Sequence, residues 1–189
     1  MHWRRLLVGG VVIAVLAWAA GYLERRPETP GTAGGLLPAG QAEPGVADST
    51  QGEFRPVRLY FASTGGDKLV SETREVSSAA GLHGQVESLV RELALGARHG
   101  GMRLLPPGTA LRHVYLDQRG LMTVDLTPAF RDRFQGGSTA EYLTVASLVY
   151  TLLDNEPGVQ RVRLACEGEP LSTLGGHFAC DRPVDRSDF

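Results

Sequence analysis

Beyond residue 53, several segments of the chain alternate apolar and polar residues, the pattern of half-buried β-strands. Val57, Leu59 and Phe61 share one face of a first predicted strand. The same alternation predicts further strands over residues 69–76, 111–117, 121–126 and 159–166. The two middle strands are joined by a short turn with a glycine at position 120, so they are expected to form a hairpin.

Two longer segments have helical periodicity instead. Residues 82–95 place their apolar side chains on one stripe, and Gly96 follows in the position that commonly ends a helix. Residues 139–155 predict the longest helix, which a capping box of Ser138 and Glu141 is expected to open. A short helical turn is predicted over residues 129–134. The order β(β)-α-β-β-α-β predicts an α+β fold with a mostly antiparallel or mixed sheet and two main helices packed on one face.

The first residues predict a membrane segment. Residues 6–23 carry no charge, and a membrane-spanning helix needs about 20 apolar residues. Arg4 and Arg5 precede the segment, which favours an N-terminus in the cytoplasm and a single-pass anchor in the inner or cytoplasmic membrane. The domain is then expected in the periplasm or extracytoplasmic space. Ala17-Trp18-Ala19 also fits a cleaved signal peptide, and both alternatives export the rest of the chain.

Three parts are therefore expected: an anchor or signal peptide over residues 1–23, a linker over 24–53 and a folded domain over 54–189. The linker is rich in proline, glycine, alanine and threonine and has no apolar periodicity, so we expect it to be disordered. Square-root scaling gives 30 flexible residues an end-to-end distance of about 30 Å.

Charge argues against a nucleic-acid-binding protein. The chain has 19 Lys+Arg and 21 Asp+Glu, and the sequence pI is about 6.2. Nucleic-acid-binding domains usually carry a basic excess or a basic stripe. No nucleic-acid partner is therefore expected.

The two cysteines, Cys166 and Cys180, are a possible disulfide in an oxidising compartment. Such a bridge would stabilise the fold by about 3 kcal/mol in the chain-entropy model. The alternative is a pair of unpaired buried thiols. A metal site is not expected, because the chain has no CxxC motif and only His177 lies nearby.

Catalytic motifs such as GxSxG, SxxK and HExxH do not occur in the sequence. Asp125 lies at a strand end, where a carboxylate can act as a base or ligand. The favoured interpretation is that it accepts hydrogen bonds from the turn at residues 127–129. His177 is likewise more typical of an ordinary loop residue than of a ligand or acid. No catalytic residue, metal ligand or cofactor is predicted.

A polar stripe runs along the longest predicted helix, opposite its apolar face. Its members have small hydroxyl or amide side chains that let another backbone approach closely: Thr144, Ser147, Thr151 and Asn155. This stripe is the predicted interaction surface, with an ordinary exposed helix face as the alternative. Arg161 and Arg163 lie in phase on the last strand and are a second candidate for a partner-binding face.

Several segments, in order, resemble the GerMN domain family. They are VRLYF (57–61), LVRELALG (89–96), LLPPGTAL (104–111), LMTVDLTPAF (121–130), VYTLLDNEPGVQRVRLACEGE (149–169) and LGGHFACDRP (174–183). The resemblance covers nearly all of residues 56–185. It implies an extracytoplasmic α+β domain of membrane-tethered or lipid-anchored envelope proteins, which in spore formers belongs to machinery between two membranes. It implies no catalytic residue and no cofactor. The chain has one copy of the domain where the namesake has two, and its cysteines lie outside the family pattern.

Three functions follow as hypotheses. The leading one is a non-enzymatic, membrane-tethered interaction or scaffold module that binds envelope proteins and forms homo-oligomers through a sheet edge or the polar stripe. The second is an exported binding domain for a cell-wall fragment or another small ligand, which requires a concave pocket. The third is a cell-wall hydrolase, which requires a paired acid and base or a metal site that the sequence does not offer.

Overall fold

The structure is a computed structural model and describes residues 53–189. Its strands are β1 (Phe54–Ser63), β2 (Leu69–Ser77), β3 (Gly101–Met102), β4 (Leu111–Leu116), β5 (Leu121–Leu126), β6 (Arg161–Cys166) and β7 (Glu169–Pro170). Its helices are α1 (Gly81–Leu95), α2 (Ala129–Asp132) and α3 (Ser138–Asn155), followed by a 3-10 helix (Arg186–Asp188). The predicted membrane segment, 6–23, and all but the last residue of the predicted linker lie outside the described residues. Within residues 53–189, every helix is too short or too polar for a membrane span.

The predicted α+β fold and the order of its elements are confirmed, and the strands divide between two sheets. The first sheet has the order β2-β1-β3, with antiparallel pairing throughout. The second has the order β4-β5-β6-β7. Here β5 pairs antiparallel with β4 and parallel with β6, because α2 and α3 form the long crossover that a parallel pair requires.

The core lies between the two sheets and the helices. Apolar residues from alternate strand positions are fully buried on one face of each sheet, including Leu59, Phe61, Val124 and Leu164. Helix α3 is buried nearly all round, since eight of the nine residues from Glu141 to Val149 are inaccessible. A helix without an exposed face needs partners for its polar side chains.

Those partners come mainly from β1, on the edge that β2 does not cover. The Ser147 hydroxyl donates to the Tyr60 carbonyl at 2.5 Å, and the Tyr60 amide donates to Thr151 Oγ1 at 3.2 Å. Asn155 accepts from the Arg58 amide at 2.8 Å and donates to the Arg58 carbonyl at 2.7 Å. The side chains of α3 thus replace a neighbouring strand along part of β1.

The prediction that the polar stripe is an interaction surface for other proteins is therefore wrong. Thr144, Ser147 and Thr151 are buried, and Asn155 is bonded to β1. The Thr144 hydroxyl donates back to the Ala140 carbonyl at 2.7 Å within the helix. The backbone that approaches the stripe belongs to the same chain.

The two cysteines are both buried and are free thiols. The structure thus has the two unpaired buried thiols that were the alternative to the predicted disulfide. Burial raises the pKa of the Cys180 thiol to about 12, and the nearby Glu141 carboxylate adds to this effect. Burial also raises the pKa of Cys166. Both side chains behave here as small core residues.

Candidate interaction surface

Glu141 is a buried carboxylate that holds the loop after β7. Its Oε1 accepts from the Thr173 hydroxyl at 2.6 Å and from the amides of Leu174 and Gly175 at 3.0 and 2.8 Å. Its Oε2 accepts from the His177 amide at 2.9 Å and lies 3.0 Å from His177 Nδ1. The predicted capping box is consequently wrong: α3 begins at Ser138 with no side-chain cap, and Glu141 faces this loop instead.

The pKa of Glu141 shows that these contacts favour its charged form. Burial alone would raise this pKa, but the hydrogen bonds from Gly175, Thr173 and His177 outweigh burial and lower it from 4.5 to about 2. The side chain is wholly inaccessible to solvent. Glu141 is therefore an ionised anchor for the loop.

Asp125 and His177, the two candidates for a chemical role, also have structural partners. Asp125 is buried, and its Oδ1 accepts from the Gly168 amide at 3.0 Å, while Oδ2 lies 3.3 Å from Arg112 Nη1. The predicted bonds to the turn at residues 127–129 are replaced by this bond to the β6–β7 turn. His177 contacts Glu141 from the surface. Among residues 53–189, no cluster of three or more His, Cys, Asp or Glu is arranged to hold a metal ion.

One edge of the second sheet is free within the described residues, namely that of β4. This strand pairs with β5 alone, and the bond from the Asp117 amide to the Leu121 carbonyl fixes which residues face the partner. In an antiparallel ladder the bonding direction alternates, so His113 and Tyr115 bond to β5, whereas the main-chain groups of Val114 and Leu116 point away. We call these outward groups of Val114 and Leu116 the β4 edge.

Beside the β4 edge lies the sheet face turned away from the core, which we call the outer face: His113, Tyr115, Thr123, Arg161 and Arg163. The register puts Tyr115 opposite Thr123 and Thr123 opposite Arg163, in one row across three strands. Strands lie about 4.8 Å apart, so Tyr115 and Arg163 are separated by about 10 Å at their backbones. Tyr115 is 65% exposed, and its ring stacks with that of His113 at 6.5 Å.

The outer face and its turn are locally basic on a chain of net charge −2. Arg119 in the β4–β5 turn and Arg161 and Arg163 on β6 form no salt bridge with any other described residue. The nearby carboxylates offset these charges only in part. Asp117 accepts from two amides of its own turn, and Asp125 is paired with Arg112. The three arginines of the outer face and its turn thus outnumber the two nearby aspartates, Asp117 and Asp185, and leave the face weakly positive.

A cleft of about 250 Å³ lies where α1 meets the start of β4, and we call it the α1–β4 cleft. Its lining is mostly apolar and consists of Glu87, Arg91, Ala94, Leu95, Thr109, Ala110 and Leu111. Leu95 is 68% exposed and lies on the side of α1 opposite its buried apolar stripe. Exposed large apolar residues beside a free strand edge are typical of interaction sites.

Of the sequence candidates, only Arg161 and Arg163 lie on this surface. The polar stripe is buried in the core, and Asp125 and His177 belong to separate contacts. Sequence reasoning missed Tyr115 and Leu116 because strand alternation does not show which strand lies at an edge. One signal was present in the sequence: the aromatic side chain of Tyr115 lies on the strand face that the alternation predicts to be polar.

Comparison with known protein families identifies one family whose domain covers most of the folded region. A family model described as "Germane: Sporulation and spore germination" matches residues 58–172, which is more than half of the chain. No curated protein matches the sequence significantly.

Solved structures are similar at low identity. The tandem GerMN domains of the sporulation protein GerM from Bacillus subtilis align with 19% identity and a TM-score of 0.61, over 72% of this chain and 48% of that one. The first GerMN domain of GerM aligns with 18% identity and a TM-score of 0.59, over 70% of this chain and 98% of that one. A Clostridium perfringens protein aligns with 19% identity and a TM-score of 0.51, over 76% of this chain and 94% of that one. The chain spans about half of the tandem structure, and these likenesses establish the fold.

Proposed function

The chain belongs to the GerMN-type family of sporulation and spore germination domains, and on this premise we propose that it is a non-enzymatic interaction module of an envelope assembly. Residues 6–23 hold it at a membrane, with residues 54–189 on the extracytoplasmic side. Its partners are envelope proteins of a sporulation or germination type of assembly. The apolar length of residues 6–23 and the arginines before them support the anchor.

The observation that carries the interaction role is the unpaired β4 edge beside an exposed Tyr115. A free edge is a ready template for pairing with another chain, and many proteins block such edges with lysine or proline. The sequence of β4, LRHVYL, contains neither. A surface of this kind supports binding, whereas the buried carboxylates of Glu141 and Asp125 support only the fold.

Position-specific crosslinking in cells tests this role. A photoreactive amino acid is placed at position 115 of the tagged full-length chain, and at Gln135, an exposed loop position, as the matched control. We expect crosslinks to a reproducible set of envelope proteins from position 115 and not from position 135. Equal capture at both positions, or none at position 115, would refute an interaction role for this surface.

The anchor is tested separately by fractionation. The full-length chain should remain with membranes after an alkaline carbonate wash, and a variant lacking residues 6–23 should be released. A full-length chain that is released by the wash, or that is recovered without residues 1–19, would exclude the uncleaved anchor. The second result would instead support the cleaved signal peptide.

An exported domain that binds a cell-wall fragment is the second candidate, because a second cleft is lined by aromatic rings. It has a volume of about 230 Å³, and its lining includes Tyr142, Tyr150 and Phe189. The ring centroids of Tyr142 and Tyr150 lie 5.4 and 5.7 Å from that of Phe189. Ligand pockets usually measure about 300–1,000 Å³, so this cleft is small for such a role. Calorimetric titration with a muramyl dipeptide tests this candidate function. Heat of binding that is lost in Tyr142→Ala would support it, and the absence of any heat of binding would exclude it.

A further inference from the structure

We propose that the β4 edge binds an extended acidic segment of a partner protein, which adds to the second sheet as a fifth strand. This inference rests on the proposed interaction role and names the mode of binding and the chemistry of the partner. Three features carry it: the free main-chain groups, the unequal charge around them and the cleft on the opposite side of the sheet.

The main-chain groups provide the affinity. Val114 and Leu116 each present an outward N–H and C=O, and no described residue bonds to them. Leu116 is itself 36% exposed, so an added strand can approach closely. In strand addition, these main-chain bonds hold the peptide, and alternate side chains of the peptide meet the two faces of the sheet.

The outer face selects acidic side chains. Side chains of the added strand that point outward lie beside His113 and Tyr115. Arg161 and Arg163 lie on the same face of the sheet, and neither they nor Arg119 of the β4–β5 turn form a salt bridge with a described residue. Arg161 and Arg163 lie on the third strand from the added one, so they act on its carboxylates mainly through the positive field of the outer face. Attraction of this kind mainly raises the association rate and the selectivity of binding.

On the core-facing side of the sheet, the added strand is expected to place an apolar side chain. Inward-pointing side chains near the start of β4 face the α1–β4 cleft, where Leu95 and Leu111 offer apolar surface. A segment that alternates acidic and apolar residues thus matches both faces. The pattern also excludes a shift by one residue, which would turn the acidic side chains of the added strand into the cleft.

A second copy of this chain fits the same edge less well. Two copies of β4 would place strands against each other that both carry Arg112 and His113 and that contain no acidic residue to offset them. The chemistry of the surface therefore favours an acidic partner over self-association.

A defined peptide tests the proposal. The probe is a fluorescent eight-residue peptide that alternates aspartate or glutamate with valine, and its control carries lysine in place of every acidic residue. Binding to the full-length chain in non-ionic detergent is measured by fluorescence anisotropy. NMR-detected hydrogen exchange of the Val114 and Leu116 amides reports whether the peptide adds at this edge.

Leu116→Pro removes one outward donor and no bond to β5, while Leu116→Thr keeps the donor and serves as its matched control. We expect the acidic peptide to slow exchange of both amides and to lose about tenfold or more of its affinity in Leu116→Pro, a change of about 1.4 kcal/mol. Leu116→Thr should stay within about threefold of the wild type. An acidic peptide N-methylated at alternate residues should fail to bind the unaltered protein, which tests the same bonds if Leu116→Pro is unstable.

Equal binding of the acidic and lysine peptides, unchanged affinity after N-methylation, or no binding of the acidic peptide would each overturn the proposal. Protection of the two amides in a concentration-dependent dimer without peptide would assign the edge to a second copy instead. None of these results depends on crosslinking in cells. A module that still captures envelope partners from position 115 would then use the outer face without strand addition.

Discussion

Replacing Glu141 with glutamine tests whether a single buried carboxylate holds the loop of residues 173–177. The substitution keeps the shape of the side chain and removes its charge. Glutamine can accept through one oxygen only, so its amide group must face some of the present donors. If the oxygen remains beside Thr173, Leu174 and Gly175, the amide meets the N–H of His177, which loses its acceptor.

Two routes give the size of the effect. The pKa of Glu141 is about 2 in the folded protein and 4.5 as a free group, a difference that corresponds to about 3 kcal/mol of stabilisation by the charged form. Hydrogen bonds to charged groups contribute about 1.5–3 kcal/mol each, so the loss of one or two of them gives a similar figure. We therefore expect Glu141→Gln to lower the free energy of unfolding by about 3 kcal/mol at pH 7.

The dependence on pH has a defined sign. Because the folded pKa lies below the unfolded value, the stabilisation is fully present above about pH 4.5 and is lost as the pH falls towards about 2. The difference in stability between the wild type and Glu141→Gln should therefore narrow over that interval. Glu72, whose pKa is also about 2, remains in both proteins and does not affect this difference.

Urea unfolding of the full-length chain, followed by circular dichroism at several pH values, measures the effect as a shift in midpoint at constant slope. Glu87→Gln, an exposed position on α1, is the matched control and should change stability by less than about 0.5 kcal/mol. A loss below about 1 kcal/mol for Glu141→Gln, or a difference that does not change with pH, would refute the anchoring role.

Three further predictions concern the interior. Asn155→Ala should destabilise the protein by about 1 kcal/mol in urea unfolding, because it removes two hydrogen bonds to the Arg58 backbone that water replaces only in part; a neutral result would contradict the replacement of a strand by α3. Cys166 and Cys180 should both react with a thiol reagent only after unfolding, and a native mass lower by two hydrogens would instead reveal a disulfide. Asp125→Asn should cost about 1–3 kcal/mol by thermal or urea unfolding, since it weakens the contacts with Gly168 and Arg112, and unchanged stability would show that these contacts are dispensable.

Local sequence patterns were enough to predict the helices and strands and their order along the chain. The predicted helices over residues 82–95 and 139–155 begin within one residue of α1 and α3, because periodicity and a terminal glycine are local signals. The division into two sheets could not be predicted this way, since it depends on which strands meet across the fold.

The polar positions of α3 were misread for the same reason. The partner of Ser147 lies 87 residues away in the sequence, and those of Glu141 lie 32 to 36 residues away. Periodicity is read over fewer than 20 residues and cannot detect contacts at such separations. A usable signal was nevertheless present: no charged residue occurs between Glu141 and Asp154. A helix without a charged face is usually buried all round, which would have placed the hydroxyl groups in the interior.

The replacement of a strand by α3 has a consequence for synthesis of the chain. Tyr60 leaves the ribosome 87 residues before Ser147, its partner on α3. At about 5–20 residues per second this separation takes about 4–17 s. Throughout that interval the β1–β2 hairpin can form, but one edge of β1 has nothing to bind. An edge that α3 covers in the finished domain is thus left open during translation, and misassembly there becomes unfavourable only after the last turn of α3 has emerged.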